Sequence, residues 1–381
     1  MEPALNPGPL ARAPLLILAF VALLSGALAG LARLGWLLPD WSAGLAAVHG
    51  PLMLCGFFGT VIALERAVAL GRAWAYLGPL AAALGNVAML AGWLPVSMGL
   101  MVLAAVVLTA ASLDVVRRQL ALYTVTLALG AAAWLLGNLV WSATAAVPAA
   151  LPWWMGFLVL TIAGERLELS RMRAPSKAAV RTFGLIVALL LLAFAVASLG
   201  PSWAIRLMGL ALLALAAWLA SEDVARRTVR GKALTRFIAV CLLSGYVWLA
   251  VSGAVLAWSG SLQPGSAGYD AALHALLLGF VFAMVFGHAP IILPAVLQIR
   301  IPYHPLFYVS LIVLHASLAL RLGGDAFGLH EWRRLGGMGN LLALLIFIAN
   351  TVAAALRGRK PVGVPVARGA ASPQPRPPPA G

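Results

Sequence analysis

Residues Ala43–Leu70 read AGLAAVHGPLMLCGFFGTVIALERAVAL. From Ala43 to Leu64 no side chain carries a formal charge. A bilayer core roughly 30 Å thick needs about 20 apolar residues per helical span, so this stretch reads as one membrane helix. It holds a histidine, His49, about six residues in from one end, and Glu65-Arg66 near the other. The same pattern recurs along the chain. Of 381 residues 63% are hydrophobic and 10% charged, where a soluble domain would be about a quarter charged. The expected fold is all-α, a polytopic membrane helix bundle of about twelve transmembrane helices.

The other expected spans are Leu15–Trp36, Trp74–Leu94, Val96–Leu113, Leu120–Ala143, Val147–Leu169, Phe183–Leu199, Trp203–Leu219, Phe237–Trp258, Tyr269–Leu297, Tyr303–Leu322 and Leu335–Leu356. Loops after even-numbered spans carry the basic residues, among them Arg72, Arg117, Arg118, Lys177, Arg226, Arg230 and Arg300. Loops after odd-numbered spans are nearly free of them until Arg333 and Arg334. The positive-inside rule then places both termini in the cytoplasm. Trp36, Trp41, Trp93, Trp141, Trp203, Trp258 and Trp332 fall at the opposite interface, as an aromatic belt would. The net charge of +15 is accounted for by these loops and the tail, so nucleic acid is not the expected partner; the lipid bilayer is. The expected address is the bacterial inner (cytoplasmic) membrane. Residues 1–14 read as a short cytoplasmic tail, 15–357 as the transmembrane domain and 358–381, rich in proline, as a disordered tail. The first span is too long, and its lead too poor in basic residues, for a signal peptide, so it reads as a retained helix.

An internal repeat runs through the bundle. Gly56-Phe57 precedes Glu65-Arg66 by nine residues in the second span, and Gly156-Phe157 precedes Glu165-Arg166 by the same interval in the sixth. Gly279-Phe280 precedes His288 likewise in the tenth. Recurrence every fourth span suggests three four-helix units about a pseudo-threefold axis. A packing contact made by small residues would give the same pattern.

Ionisable groups inside a membrane are costly and mark functional sites by default. His49, His274 and His315 each lie some five to seven residues in from the outer ends of their spans, about 8–11 Å deep. Three imidazoles at one depth suggest a shared metal or haem site; hydrogen bonds to neighbouring helices are the plainer reading. Trp134, Trp153 and Trp154 lie at similar depth and could surround a planar cofactor. Arg33 and Arg321 could pair with haem propionates, or could snorkel to the interface. On the cytoplasmic side, Glu65-Arg66 and Glu165-Arg166 read most simply as ion pairs anchoring helix ends. With His288 they could instead form a polar cluster admitting protons, or a second metal site. No phosphate-binding glycine loop, HExxH or hydrolase elbow is present.

The segment His49-Gly50-Pro51-Leu52-Met53-Leu54-Cys55-Gly56-Phe57 resembles the second-helix signature of haem–copper oxidase subunit I. In that family a histidine holds low-spin haem opposite another on the tenth helix. The chain is more closely similar to the NnrS family of haem- and copper-containing membrane proteins, through His274-Ala275-Leu276, Gly279, Gly287-His288 with Pro290, and Arg321. The resemblance implies haem b, with copper beside it, and a role in nitric oxide or nitrosative stress handling or in respiratory electron transfer. It implies His49 and His274 as axial ligands, His288 as an alternative partner, Met53 and Arg321 as cofactor contacts and His315 as a copper or third ligand. A respiratory electron donor or quinol is the implied partner. Two departures weaken copper more than haem: the second span has one histidine rather than a His-Glu arrangement, and Ala289-Pro290-Ile291-Ile292 after His288 is apolar. The oxidase copper ligands of the sixth and seventh helices are absent. A transporter or channel, and a cofactor-free assembly factor, are the competing functions.

Overall fold

The computed structural model describes residues 7–170 and 176–358. Among them the chain is helical throughout, with no strand. Twelve helices are long and apolar enough to cross a membrane: α1 Pro9–Arg33, α2 Ala46–Leu70, α3 Ala73–Leu90, α4 Leu94–Arg118, α5 Leu122–Thr144, α6 Val147–Ser170, α7 Lys177–Ala197, α8 Ser202–Glu222, α9 Ala233–Ser259, α10 Ala267–Leu297, α11 Phe307–Phe327 and α12 His330–Gly358. All twelve expected spans are present. The surface confirms their setting: Leu185, Leu192, Leu210, Val247 and Ile312 are exposed mid-helix, which a bilayer tolerates and water does not. The chain is a polytopic membrane helix bundle.

Several helices run past their apolar windows. α1 begins at Pro9, a residue suited to the first helical turn, so the expected tail of residues 1–14 is partly helical. Arg12 is buried there and donates through Nη1 to the Val296 carbonyl at 2.8 Å, tying α1 to α10. α4 runs on to Arg118, where Arg118 pairs with Asp114 at 2.7 Å. Residues 359–381, most of the expected disordered tail, lie outside the described residues. Since twelve is even, Pro9 and Gly358 share one end of the bundle, here the termini end; the other is the far end.

α2, α6 and α10 are the most enclosed helices, with 72%, 78% and 67% of their apolar windows buried. These are the three that carry the Gly-Phe repeat. Each repeat glycine faces a neighbour within its own group of four: Gly56 meets Asn86 and Ala22, Gly156 meets Phe194, and Gly279 meets Trp248. α2 and α10 also share a distortion that α6 lacks. Residues Leu52–Gly59 and Ala275–Phe282 are π-helical, each just beyond a histidine. Such segments gather at functional sites.

Small residues let helices touch along their backbones. A Cβ at Gly209 of α8 would lie 2.6 Å from the Gly253 carbonyl oxygen of α9. Backbone cannot rotate away as a side chain can. Gly209→Ala is therefore expected to cost about 1–3 kcal/mol, read as a lower unfolding temperature in detergent. Gly99→Ala on α4, where a Cβ meets nothing within 4 Å, is expected to cost nothing.

The belt reading needs one correction. Trp41, Trp93, Trp203, Trp258 and Trp332 are exposed, and Trp36 lies under the Arg334 guanidinium at 4.7 Å. Trp141, however, is buried and packs edge-on against Trp154.

Candidate functional site

Of the three histidines grouped by depth, the structure brings His49 and His274 together. The His49 and His274 ring centres are 6.5 Å apart, with ring planes inclined by only 17°. Each ring is held through Nδ1. His49 donates to the Gly26 carbonyl of α1 at 2.6 Å. His274 donates to the Asp270 carbonyl one turn back on α10 at 2.8 Å, with an Asp270 carboxylate oxygen at 3.3 Å. A proton on Nδ1 leaves Nε2 as the bare nitrogen, the state of a metal-ligating imidazole. Among the described residues neither Nε2 has a hydrogen-bond partner.

The glycines of α1 explain how His49 reaches this position. Gly26 and Gly30 form a G-x-x-x-G face. A Cβ at Gly30 would sit 2.8 Å from His49 Cε1, and one at Gly26 would sit 2.9 Å from Met53 Sδ. α2 thus lies against α1 with His49 and Met53 in the notches. The signal was present in the sequence, since G-x-x-x-G in an apolar span marks a close helix contact.

Both rings line a cavity of about 480 Å³, within the size range of cofactor sites. Its walls include Met53, Leu54, Phe58, Leu277 and Phe282, and Arg33, Arg321 and Arg333 stand at the far end. Arg321 is not free there. It grips Asp270 with Nε–Oδ2 at 2.7 Å and Nη2–Oδ1 at 2.8 Å, both residues buried. Arg333 lies 3.3 Å from the same carboxylate. Asp270 thus joins Arg321 and Arg333 to His274. The sequence reading did not single it out; it lies one residue into the expected tenth span.

Four expectations are corrected. His315 does not join this site. α11 continues to Phe327, so His315 lies twelve residues, about 18 Å, from that end. Its Nδ1 accepts from Trp248 Nε1 and its Nε2 donates to Ser244 Oγ, both at 2.9 Å. Among the described residues no three His, Cys, Asp or Glu side chains gather as a metal-binding group, so a copper site with His315 as third ligand does not fit the residues present. His288, the alternative axial partner, has both nitrogens engaged: Nδ1 donates to the Met284 carbonyl at 2.7 Å and Nε2 accepts from Arg166 at 3.1 Å. The tryptophans do not surround the histidines. Trp134 packs against Gly59 and Phe157, and Trp154 donates to Asn138 at 3.0 Å.

The fourth correction concerns the termini end. Glu165 and Arg166 do not pair, because Arg166 bonds Asp223 at 2.7 Å, both fully buried. Tyr246 donates to the same Asp223 oxygen at 2.8 Å. Glu65 and Arg66 form no ion pair either; adjacent residues on a helix do not face each other. What Glu65, Glu165 and His288 share is a second cavity of about 480 Å³, roofed by Phe57, Phe58 and Phe282. Phe58 and Phe282 also line the histidine cavity, so these rings separate the two.

No curated protein matches the chain. A family model described as a domain of unknown function, DUF8744, matches residues 12–356, which is the whole helix bundle. The chain therefore belongs to the DUF8744 family.

Proposed function

We propose that the protein is a haem-binding integral membrane protein, with His49 and His274 as the two axial ligands of a non-covalently held haem b. The observation that carries this is the ring pair. The ring centres are 6.5 Å apart and the planes inclined by 17°, and the two imidazoles would hold the group through Nε2. Both Nδ1–H groups are tied to carbonyls, which leaves each Nε2 unprotonated. Arg33 supplies positive charge for a propionate, while Arg321 is held by Asp270 and Arg333 by Asp325 at 3.1 Å and Asp270 at 3.3 Å. Neither cysteine sits in a C-x-x-C-H motif, so thioether attachment has no anchor.

Haem in such a site supplies one-electron exchange. Held by both His49 and His274, such a group would serve electron transfer rather than direct capture of nitric oxide. The NnrS-like segments support the same assignment by resemblance, with a role in respiratory electron transfer or nitrosative stress. The loop distribution of Lys and Arg supports insertion in a bacterial cytoplasmic membrane with both termini inside.

The absorption spectrum of protein purified from haem-replete cells tests the reading. A Soret band at about one haem per chain is expected, and a colourless folded preparation would overturn it. His315→Ala should leave that band unchanged in position and intensity, since His315 is bonded elsewhere. A shift in that variant would restore His315 as a ligand.

A further inference from the structure

The second cavity has a different character from the histidine cavity. Its walls are apolar side chains from α1, α2, α6, α10 and α12, and it is edged by Ile17, Val21 and Val352. Those three are exposed on the outer faces of α1 and α12, the faces turned to lipid, so the cavity opens sideways into the bilayer. Its polar groups are Glu65, Thr161, Glu165, His288 and Thr351, the last donating to the Phe347 carbonyl at 2.8 Å. Thr161 donates to the Phe157 carbonyl at 2.7 Å. His288 is satisfied on both nitrogens. Among the described residues the two carboxylates have neither hydrogen-bond nor ion-pair partners. Unpartnered acceptors in an apolar chamber are costly unless something donates to them.

The occupant can be narrowed by chemistry. Glu65 and Glu165 each lie five residues, about 8 Å, from the termini ends of α2 and α6. Two carboxylates side by side in an apolar chamber repel a phosphate headgroup, so an anionic lipid head is not favoured there. Glu65 and Glu168 lie within electrostatic reach of Glu165 as well as Arg66 and Arg166, so its surroundings are of mixed sign and give a cationic ligand no special hold. What remains is an uncharged ring bearing hydroxyl donors on an apolar chain. We propose that this cavity binds a lipid-soluble quinol, its ring beneath Phe57, Phe58 and Phe282, its hydroxyls donating to Glu165 and Glu65, and its tail leaving between α1 and α12. The site stands whether or not the histidine cavity holds haem.

The test is calorimetric titration of the purified full chain, in detergent, with a decyl-substituted benzoquinol and with its dimethyl ether, which keeps the ring and tail but cannot donate. It is run on wild type and on His49→Ala, so that loss of haem is read separately. The quinol should bind at least tenfold more tightly than the ether in both. Glu165→Leu should remove that preference. Val352→Trp, placed at the lipid-facing mouth where folding is not at stake, should weaken quinol binding tenfold or more. Equal binding of quinol and ether would mean that the cavity takes an acyl chain alone, and would overturn the proposal. So would unchanged quinol binding in both Glu165→Leu and Val352→Trp.

Discussion

His49→Ala and His274→Ala are each expected to lower haem content at least tenfold, while leaving the protein folded and inserted. Each imidazole is the only one its helix supplies to the cavity, and no third histidine lines it. The partners left behind are backbone carbonyls, Gly26 for His49 and Asp270 for His274, so neither variant strands a buried charge. Haem per chain, read by absorbance against protein mass, decides the matter. Full occupancy in either variant would remove that histidine from the ligand set. Gly30→Ala should reproduce part of the loss without touching a ligand, because a Cβ there meets the His49 ring at 2.8 Å.

Asp270→Asn is expected to be the most damaging single change to the fold. It withdraws the carboxylate that faces Arg321 at 2.7 Å, Arg333 at 3.3 Å and His274 at 3.3 Å. Breaking a buried ion pair on one side costs about 3–5 kcal/mol, since the guanidinium is left charged and without its partner. Unfolding in detergent should move down by several degrees, and haem occupancy should fall with it. Replacing both partners, Asp270→Leu with Arg321→Leu, should recover part of the lost stability, since the Arg321 guanidinium is then gone and Arg333 keeps Asp325 at 3.1 Å. If Asp270→Asn unfolds with wild type, the pair contributes nothing to holding α10 against α11.

Much of this architecture was legible because membrane spans are long, apolar and set by bilayer thickness. The twelve helices follow from that; the Gly-Phe repeat marked α2, α6 and α10 as related, and their enclosure is a finding of the structure. Helix ends were less legible. Apolar windows stop where charge begins, yet α4 runs on to Arg118 and α11 to Phe327. The error at α11 carried His315 to the wrong depth. Depth also says nothing about facing, which is why Trp134 and Trp154 were grouped with histidines they do not meet. The misread Glu65-Arg66 and Glu165-Arg166 pairs have a simpler cause: successive residues on a helix diverge by about 100°. Arg166 reaches Asp223, fifty-seven residues away, and no local pattern announces that contact. Nor do the π-helical segments, which use the same residues as ordinary apolar helix.

The bis-histidine arrangement is tested most directly by the low-temperature electron paramagnetic resonance spectrum of the oxidised wild-type protein. A low-spin ferric signal of bis-imidazole type, unchanged in His288→Ala and His315→Ala and lost in His49→Ala and His274→Ala, is the predicted result. A high-spin ferric signal from the wild-type protein would contradict it, because the iron would then have at most one of the two histidines that stand 6.5 Å apart.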